Sequence, residues 1–401
     1  MIPRLILTLL PLILPLYVVR FRIGPLPTTL LEVALIILFS VWLSSRLRLS
    51  SLRRQGSSLD RLGWVPAFAG MTKNEWFWPL GLWLLAGLIS VFVAENHVAA
   101  FGLWRAYFLE PAIIFMMLSD LLKTDDDKRA ILRSICAVLA IITAWAILQM
   151  AGLLPIPSPW NVAPQGLRAT GPFPFPNALA LFAVPLAALC FHFALKDKPL
   201  LNRAALFAAF GCGLVAAALA KSDGGLIALA AAAFISLVIK KETRRYAIIA
   251  AILGTIVIAV IPTTRDIATK QLFFKEWSGK VRLVMWGETK TMLFDRPIQG
   301  AGLGNFPNAI KPYHKATWME IFQYPHNILL NLWSETGLLG VLAFGWILVT
   351  WIRHGRFDAL PIITVILVHG LVDVPYFKND LAIAFWMMII LTTHPLPKRT
   401  S

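Results

Sequence analysis

Long apolar segments recur along the whole chain, and they limit its possible folds more than any other feature. Most of them are about as long as a membrane-spanning helix, which needs roughly 17–25 predominantly apolar residues. The chain therefore predicts an all-α, polytopic integral membrane protein with about 12 transmembrane helices, in a single membrane domain over residues 1–401. The twelve predicted segments are 4–20, 28–45, 76–94, 99–121, 130–152, 174–195, 202–220, 225–240, 246–262, 327–352, 357–373 and 381–395.

The composition agrees with a membrane protein and argues against a nucleic-acid-binding one. Hydrophobic residues make up 58% of the chain and charged residues 14%, whereas a soluble domain has about 25% charged residues. The formal net charge of +16 comes from Lys and Arg side chains that cluster in short loops between the apolar segments. This distribution is typical of loops that face anionic head groups, so the expected partners are membrane lipids and no nucleic acid.

The basic residues also predict the orientation of the chain. With the N-terminus inside, the inner segments hold 22 of the 37 Lys and Arg residues, and the short outer loops hold 6. Cytoplasmic loops carry the excess of positive charge in membrane proteins. Both termini are therefore expected in the cytoplasm.

Two polar stretches interrupt the membrane pattern. Residues 45–75 form a basic cytoplasmic loop, in which Trp64–Thr72 resembles a translated bacterial intergenic repeat element, although an ordinary basic loop explains it as well. Residues 263–325 form a large loop on the outer side, and a loop of that length is expected to contain helices and to be functional. Within it, Val281–Leu293 has the apolar spacing of an amphipathic helix that lies on the membrane face.

A polar stripe follows this loop, in the strongly apolar stretch Tyr324–Gly340. Polar residues in membrane helices usually face the bundle interior or a water-filled cavity and mark functional sites. His326 lies at the mouth of the stretch, about 180° from Glu335 on an ideal helix, so a direct bond between the two is not expected unless the helix starts after His326. The alternative is that the stripe only ties helices together. The polar stripe consists of Asn327, Asn331, Ser334 and Glu335, which lie within roughly 80–100° of one helix face.

The predicted orientation brings two arginines and this histidine to one side of the membrane. Arg168 lies in a short outer loop, Arg282 in the large outer loop, and His326 at the outer end of the tenth segment. Guanidinium groups bind phosphate oxygens bidentately, and a histidine can act as a general base near neutral pH. Solvated surface arginines and a capping histidine are the alternatives.

Other motifs give weaker signals. Gly300–Phe306 lacks the strand and helix of a dinucleotide-binding loop, and a tight turn that returns the loop to the membrane is expected instead. Asp223 and Asp373 fall at predicted outer helix ends, where each could be a cap or part of a site. No His, Cys, Asp or Glu pair has convincing ligand spacing, so neither a metal nor a cofactor is predicted.

Three of these stretches, Arg168–Asn177, Gly300–Phe306 and Pro325–Gly340, resemble the O-antigen ligase and polymerase family of bacterial membrane proteins. The likeness covers most of the chain from about the second segment onward. It implies a glycosyltransferase of the bacterial inner (cytoplasmic) membrane whose active site faces the periplasm and which needs no metal or nucleotide. Its implied substrates are a polyprenyl-diphosphate-linked glycan and a glycolipid or glycan acceptor.

The resemblance also implies roles for individual residues. His326, Arg282 and Glu335 become candidate catalytic residues, with His326 activating the acceptor hydroxyl and the arginines holding the diphosphate. One departure concerns Asp223, which stands where relatives often show an arginine, so that Lys221 is a candidate replacement contact. The candidate substrate-binding residues are Arg168, Asn177, Asn327, Lys221 and Asn305.

Several functions stay open at this stage. Ligases and polymerases share these motifs, and the sequence does not separate them. A transporter or flippase for a lipid-linked solute belongs to a different class, but no internal repeat is visible and the polar residues collect on one side. A non-catalytic scaffold is opposed only by the family resemblance.

Overall fold

The computed structural model describes residues 2–24, 26–54, 75–162, 166–196 and 198–393, and α-helices dominate these ranges. A helix overlaps each of the twelve predicted apolar segments. In chain order the α-helices are α1 (Ile2–Ile13), α2 (Leu30–Arg54), α3 (Phe77–Val93), α4 (His97–Trp104), α5 (Glu110–Leu121), α6 (Asp125–Met150), α7 (Pro176–Ala194), α8 (Arg203–Leu219), α9 (Asp223–Ile239), α10 (Lys241–Val260), α11 (Pro262–Leu272), α12 (Trp277–Asp295), α13 (Phe306–Ala309), α14 (Ile328–Gly355), α15 (Leu360–Gly370) and α16 (Asn379–Thr392).

Within the described ranges, five helical stretches are long and apolar enough to cross a membrane: His97–Leu121, α6, α7, α10 and Ile328–Asp358. A π-helical turn at Arg105–Leu109 joins α4 to α5 within the first of these stretches. Six shorter helices are also apolar, namely Arg4–Val18, α3, α8, α9, α15 and α16. This architecture agrees with an all-α membrane protein, whereas the twelve crossings and their orientation stay predictions.

The structure departs from the expected layout near the N-terminus. An antiparallel hairpin, β1 (Arg20–Ile23) and β2 (Leu26–Thr29), connects the first two predicted segments, so the fold is not purely helical. Helix α2 continues as far as Arg54, beyond the predicted start of the basic loop at residue 45. Residues 55–74, which include the repeat-like stretch, lie outside the described residues.

Helix α7 forms the centre of the bundle. The most apolar stretch of α7 is 89% buried, whereas the most apolar stretch of α10 is only 6% buried. Helix α10 therefore lies at the periphery. Helices α6, α8, α9, α15 and α16 all pack against α7. Gly213 of α8 allows the closest approach, because a Cβ atom there would lie 2.2 Å from the Cβ of Ala187. The first turn of α7, which carries Asn177, is thereby fixed by the core.

The large outer segment contains the helices that its length predicted, α11 and α12, but the apolar side of α12 faces inward and does not form the predicted membrane-facing stripe. Three of its apolar side chains, Met285, Met292 and Leu293, are buried. They pack against residues of the following loop, including Ala301, Phe306 and Met319, rather than facing outward. The apolar side of α12 is therefore the core of the segment itself.

The glycine-rich turn fits against a kink in α14. Gly337 has a φ of 64°, and the kink leaves helical backbone groups without their usual partners. The turn supplies replacements, since Ala301 N–H donates to the Ser334 carbonyl at 2.7 Å and Leu338 N–H donates to the Ile298 carbonyl at 2.9 Å. The prediction of a tight turn that brings the loop back to the membrane helices is confirmed by these contacts.

Substitution of Gly300 by alanine is expected to destabilise the protein. Gly300 has a φ of 66°, and a Cβ atom there would lie 2.3 Å from the Trp333 carbonyl oxygen. A strained backbone conformation costs about 1–3 kcal/mol, and the steric clash adds to that cost. Gly300→Ala should lower the thermal unfolding midpoint in detergent. Gly345→Ala is the matched control, because Gly345 lies in α14 and has open space around it. The unfolding midpoint of this control variant should stay the same or rise.

Candidate active site

His326 precedes α14, and Asn327 begins the helix. The Asn327 side-chain oxygen accepts a hydrogen bond from Leu330 N–H at 3.1 Å, which is an N-cap. Its amide also donates to the Leu371 carbonyl at 3.1 Å, tying the start of α14 to the end of α15. His326 has a φ of 44°, a conformation that non-glycine residues seldom adopt and that is enriched at functional sites. The imidazole is therefore presented by a constrained turn and not by the helical stripe.

The imidazole meets the carboxylate of Asp373. His326 Nδ1 lies 3.3 Å from Asp373 Oδ1, and the Tyr324 ring is 4.5 Å from the imidazole ring. Asp373 is 2% exposed. Its Oδ1 also accepts a hydrogen bond from the backbone N–H of Val374 at 2.9 Å. The contact through Nδ1 orients the imidazole so that Nε2 points away from Asp373.

Asn177 connects this pair to Arg168. The Asn177 amide donates to Asp373 Oδ2 at 2.8 Å, and the Asn177 side-chain oxygen accepts from the Arg168 guanidinium at 2.9 Å. Arg168 Nε also donates to the Ala220 carbonyl at 2.9 Å, so that, within the described residues, Nη1 is the guanidinium nitrogen with no hydrogen-bond acceptor. A continuous hydrogen-bonded chain therefore runs from Arg168 through Asn177 and Asp373 to His326.

Arg282 reaches the same place from the large outer segment. Its Nε donates to the carbonyl of Val372 at 3.0 Å, one residue before Asp373. No acceptor among the described residues binds the two terminal nitrogens of its guanidinium. Arg168, Asn177, Arg282, His326 and Asn327, all candidates from the sequence, are thus brought together around the loop that follows α15.

Two other candidates take part in a different structure. Glu335 accepts a hydrogen bond from Gly304 N–H, and Asn305 is buried and donates to the Ala301 carbonyl at 3.0 Å. Glu335 holds the glycine-rich turn against α14, and Asn305 braces the turn from within. No hydrogen bond in the described structure joins either side chain to His326 or Asp373. Their geometry supports a role in shaping the turn. Whether Glu335 is catalytic stays a prediction.

Lys221 and Asp223 lie at the edge of the site. Lys221 is exposed, and its carbonyl is 3.5 Å from the Arg168 guanidinium, a marginal hydrogen bond. Asp223 accepts a hydrogen bond from Gln271 at 2.8 Å, so its side chain ties α9 to α11. Among the described residues, no three His, Cys, Asp or Glu side chains form a group that could hold a metal ion. The independence from metals stays a prediction.

Sequence reasoning left Asp373 undecided and missed Gln149. The Gln149 side-chain oxygen accepts a hydrogen bond from Thr170 N–H at 3.0 Å, and its side-chain nitrogen donates to the Gly171 carbonyl at 3.1 Å. These two bonds shape the loop that carries Arg168. For Gln149, the signal available in the sequence was a single amide side chain at the end of an apolar segment. For Asp373, the signal was a carboxylate between two short apolar segments. Its pairing with His326 is visible only in the fold.

Comparison with known proteins agrees with this arrangement. Residues 206–345 match the family model of the O-antigen ligase. The match supports the predicted family. The matched segment spans roughly a third of the chain and contains Arg282 and His326, while Arg168, Asn177 and Asp373 lie outside it. No curated protein matches the chain.

The O-antigen ligase family includes glycosyltransferase-like enzymes, both ligases and polymerases, whose implied substrates are a lipid-linked glycan and a glycan acceptor. The family match together with the apolar helices therefore supports an integral membrane protein with a ligase- or polymerase-type function.

A second histidine holds the segment that carries Arg282. Both ring nitrogens of His314 face acceptors, Glu288 Oε2 and the Met319 carbonyl, each at 3.0 Å, which suits the doubly protonated ring. The hydrogen bond to Glu288 raises the pKa of His314. Burial raises the pKa of Glu288, but its bonds to His314, Lys315 and Ala316 outweigh burial and lower it. This pair pins the loop to α12.

The His314–Glu288 pair predicts a pH-dependent stability. The histidine's contribution is complete below its ordinary pKa of 6.5 and is lost as the pH rises through its raised pKa. The carboxylate's contribution is complete above 4.5 and is lost as the pH falls through its lowered pKa. His314→Gln should therefore lower the thermal midpoint most near pH 5.5 and least well above pH 7. An equal loss at all pH values, or the same profile for the control His97→Gln, would contradict this role.

Proposed function

We propose that this protein is an O-antigen ligase-like glycosyltransferase that moves a glycan from a polyprenyl diphosphate to an acceptor hydroxyl on the periplasmic side of the bacterial inner membrane. The observation that carries the proposal is the hydrogen-bonded chain from Arg168 through Asn177 and Asp373 to His326, with Arg282 bound beside it. In this arrangement a candidate base lies beside two candidate anion ligands, which supports transfer from a diphosphate.

His326 would act as the general base. Its Nδ1 faces the carboxylate of Asp373, so the Nδ1 proton stays on that side and Nε2 keeps a free lone pair for the acceptor hydroxyl. As the hydroxyl oxygen bonds to the anomeric carbon, its proton passes to Nε2. Asp373 stabilises the imidazolium that forms and is not itself protonated.

The two guanidinium groups would bind the leaving group. The bond between the anomeric carbon and the diphosphate oxygen breaks as the acceptor attacks, and the electron pair leaves with the lipid diphosphate. Arg168 and Arg282 each have terminal nitrogens that protein acceptors do not fully occupy, and a guanidinium fork matches phosphate oxygens. Charge that develops on the diphosphate is stabilised where these groups are already oriented.

The helix lengths support a donor that stays in the membrane. Helix α15 has 11 residues and α16 has 14, which at 1.5 Å per residue correspond to only about 16 and 21 Å. The hydrocarbon core of a bilayer is about 30 Å thick. Asp373, in the loop between these helices, would then lie recessed below the outer surface. A recess of this kind suits a diphosphate anchored at the membrane surface and limits access of water to the transfer step.

Ligase and polymerase activities would use the same residues and differ in the acceptor. A ligase moves the glycan to a different glycolipid, whereas a polymerase extends a glycan on the carrier. A proteoliposome assay with a polyprenyl-diphosphate-linked repeat unit, with and without a lipid A-core acceptor, separates them by product size and carrier. Movement of the donor between leaflets without transfer would favour the flippase and contradict the enzyme.

Loss of any of the three central side chains is expected to abolish transfer. Arg168→Ala, Arg282→Ala and His326→Ala should each reduce the rate at least about 100-fold, in line with the removal of a general base or of a group that stabilises transition-state charge. The measurement is initial transfer rate in proteoliposomes at equal protein insertion. Arg265→Ala is the matched control, since Arg265 is an exposed arginine of the same outer segment, in α11. Full activity in all three variants would refute the site.

Asp373→Asn should separate catalysis from binding. The amide keeps the size of the side chain, but it no longer attracts the imidazolium and favours the wrong histidine tautomer. The expected result is a fall in kcat of roughly 100-fold or more with little change in the KM for the lipid-linked donor. A variant with unchanged kcat would show that Asp373 has only a structural role.

A further inference from the structure

The large outer segment exposes a cluster of apolar side chains that its own core does not use. Leu272, Phe273, Trp277 and Trp318 are 74%, 66%, 69% and 51% exposed. The rings of Trp277 and Trp318 pack together, with centroids 5.2 Å apart. We refer to these four residues as the outer apolar surface. Two neighbouring tryptophans exposed to water are costly and generally mark an interaction site.

Two hydrogen bonds set the level of this surface along the bundle. Gln271, directly before it, donates to Asp223 in the first turn of α9. Arg282, five residues after Trp277, donates to the carbonyl of Val372, just beyond the end of α15. The chain between these anchors cannot rise far above the helix ends. The outer apolar surface therefore lies at the level where the membrane helices end.

The surroundings of the surface have the chemistry of a membrane interface. Lys270, Lys275 and Lys280 are exposed and flank the apolar residues, and Lys275 Nζ lies 5.8 Å from the centre of the Phe273 ring. Aromatic side chains with adjacent lysines are typical of helices that lie in the head-group region of a bilayer. The peripheral helix α10, whose last residue Val260 is 70% exposed, leads into α11 through a single residue.

We propose that the outer apolar surface inserts into the head-group region of the outer membrane leaflet and thereby holds Arg282 at the depth of a lipid-linked diphosphate. The second part rests on the proposed function, and the first does not. Tryptophan pairs also stack on sugar rings. The lipid is favoured because Leu272 and Phe273 extend the surface with aliphatic and unsubstituted aromatic groups that offer a glycan no hydrogen bond.

The depth of the surface can be measured without any activity. A spin label at Phe273→Cys, in a background without Cys136, Cys190 and Cys212, would report collisions with oxygen and with a water-soluble nickel complex. The full chain would be reconstituted in vesicles of phosphatidylethanolamine and phosphatidylglycerol. We expect the ratio of oxygen collisions to nickel collisions to be several-fold higher for the Phe273 label than for a label at Lys290→Cys. Lys290 is an exposed position of α12, on a different face of that helix from Trp277. Equal exposure of both labels to nickel would overturn the insertion.

The consequence for the donor needs an active protein. The double variant Trp277→Ser/Trp318→Ser should raise the KM for a long-chain polyprenyl-diphosphate donor in vesicles roughly fivefold or more, with the KM for the acceptor unchanged. In detergent micelles with a short-chain donor, the variant should match the wild type. Phe357→Ser is the control, since Phe357 is also 66% exposed but lies at the other end of α14.

Each result separates the two claims. A several-fold rise in the KM for the donor that occurs only in vesicles supports the role of the outer apolar surface in holding Arg282 at the right depth. An equal loss in detergent and in vesicles would overturn it and indicate a direct contact of the tryptophans with the glycan. If the wild type transferred no glycan, the proposed function would fail, whereas the depth measurement would still decide the insertion.

Discussion

The candidate site depends on one buried carboxylate, that of Asp373. A buried charge is tolerated only when it is paired and hydrogen-bonded, and here His326, Asn177 and the backbone N–H of Val374 satisfy it. These partners come from three separate parts of the chain, so the carboxylate fixes their relative positions. Removing one partner would leave the charge uncompensated, and for this reason the arrangement is expected to act as a unit.

The rest of the fold can be understood as support for that unit. Helix α7 is buried on nearly all sides and presents Asn177, and the kinked α14 begins at Asn327 beside the end of α15. The glycine-rich turn and Glu335 stabilise the kink. The outer segment has its own small core, which leaves Arg282 and the outer apolar surface directed away from it. A catalytic group on a constrained turn, held by rigid helices, is the usual way to preorganise a site.

The sequence predicted the helices well, because helices that span a bilayer need long apolar runs, which are visible in the sequence. It also singled out Arg168, Arg282 and His326 by their chemistry, and the structure brings these three together, whereas their roles stay predictions. The pairing of His326 with Asp373 could not be predicted, because the two residues meet only through the packing of α14 on α15. The role of Glu335 depends on a backbone bond to Gly304, which periodicity does not show. The inward face of α12 was misread because a small core and a membrane-facing stripe have the same apolar spacing.

The most direct test of this account is a double-mutant cycle between His326 and Asp373, with transfer rates measured in proteoliposomes for His326→Ala, Asp373→Asn and the double variant. If Asp373 acts by orienting the imidazole and stabilising its charge, the double variant should be no slower than His326→Ala alone, because the carboxylate has nothing left to orient. If the two losses instead multiplied, Asp373 would act independently of His326, and the central claim of a single coupled site would be contradicted.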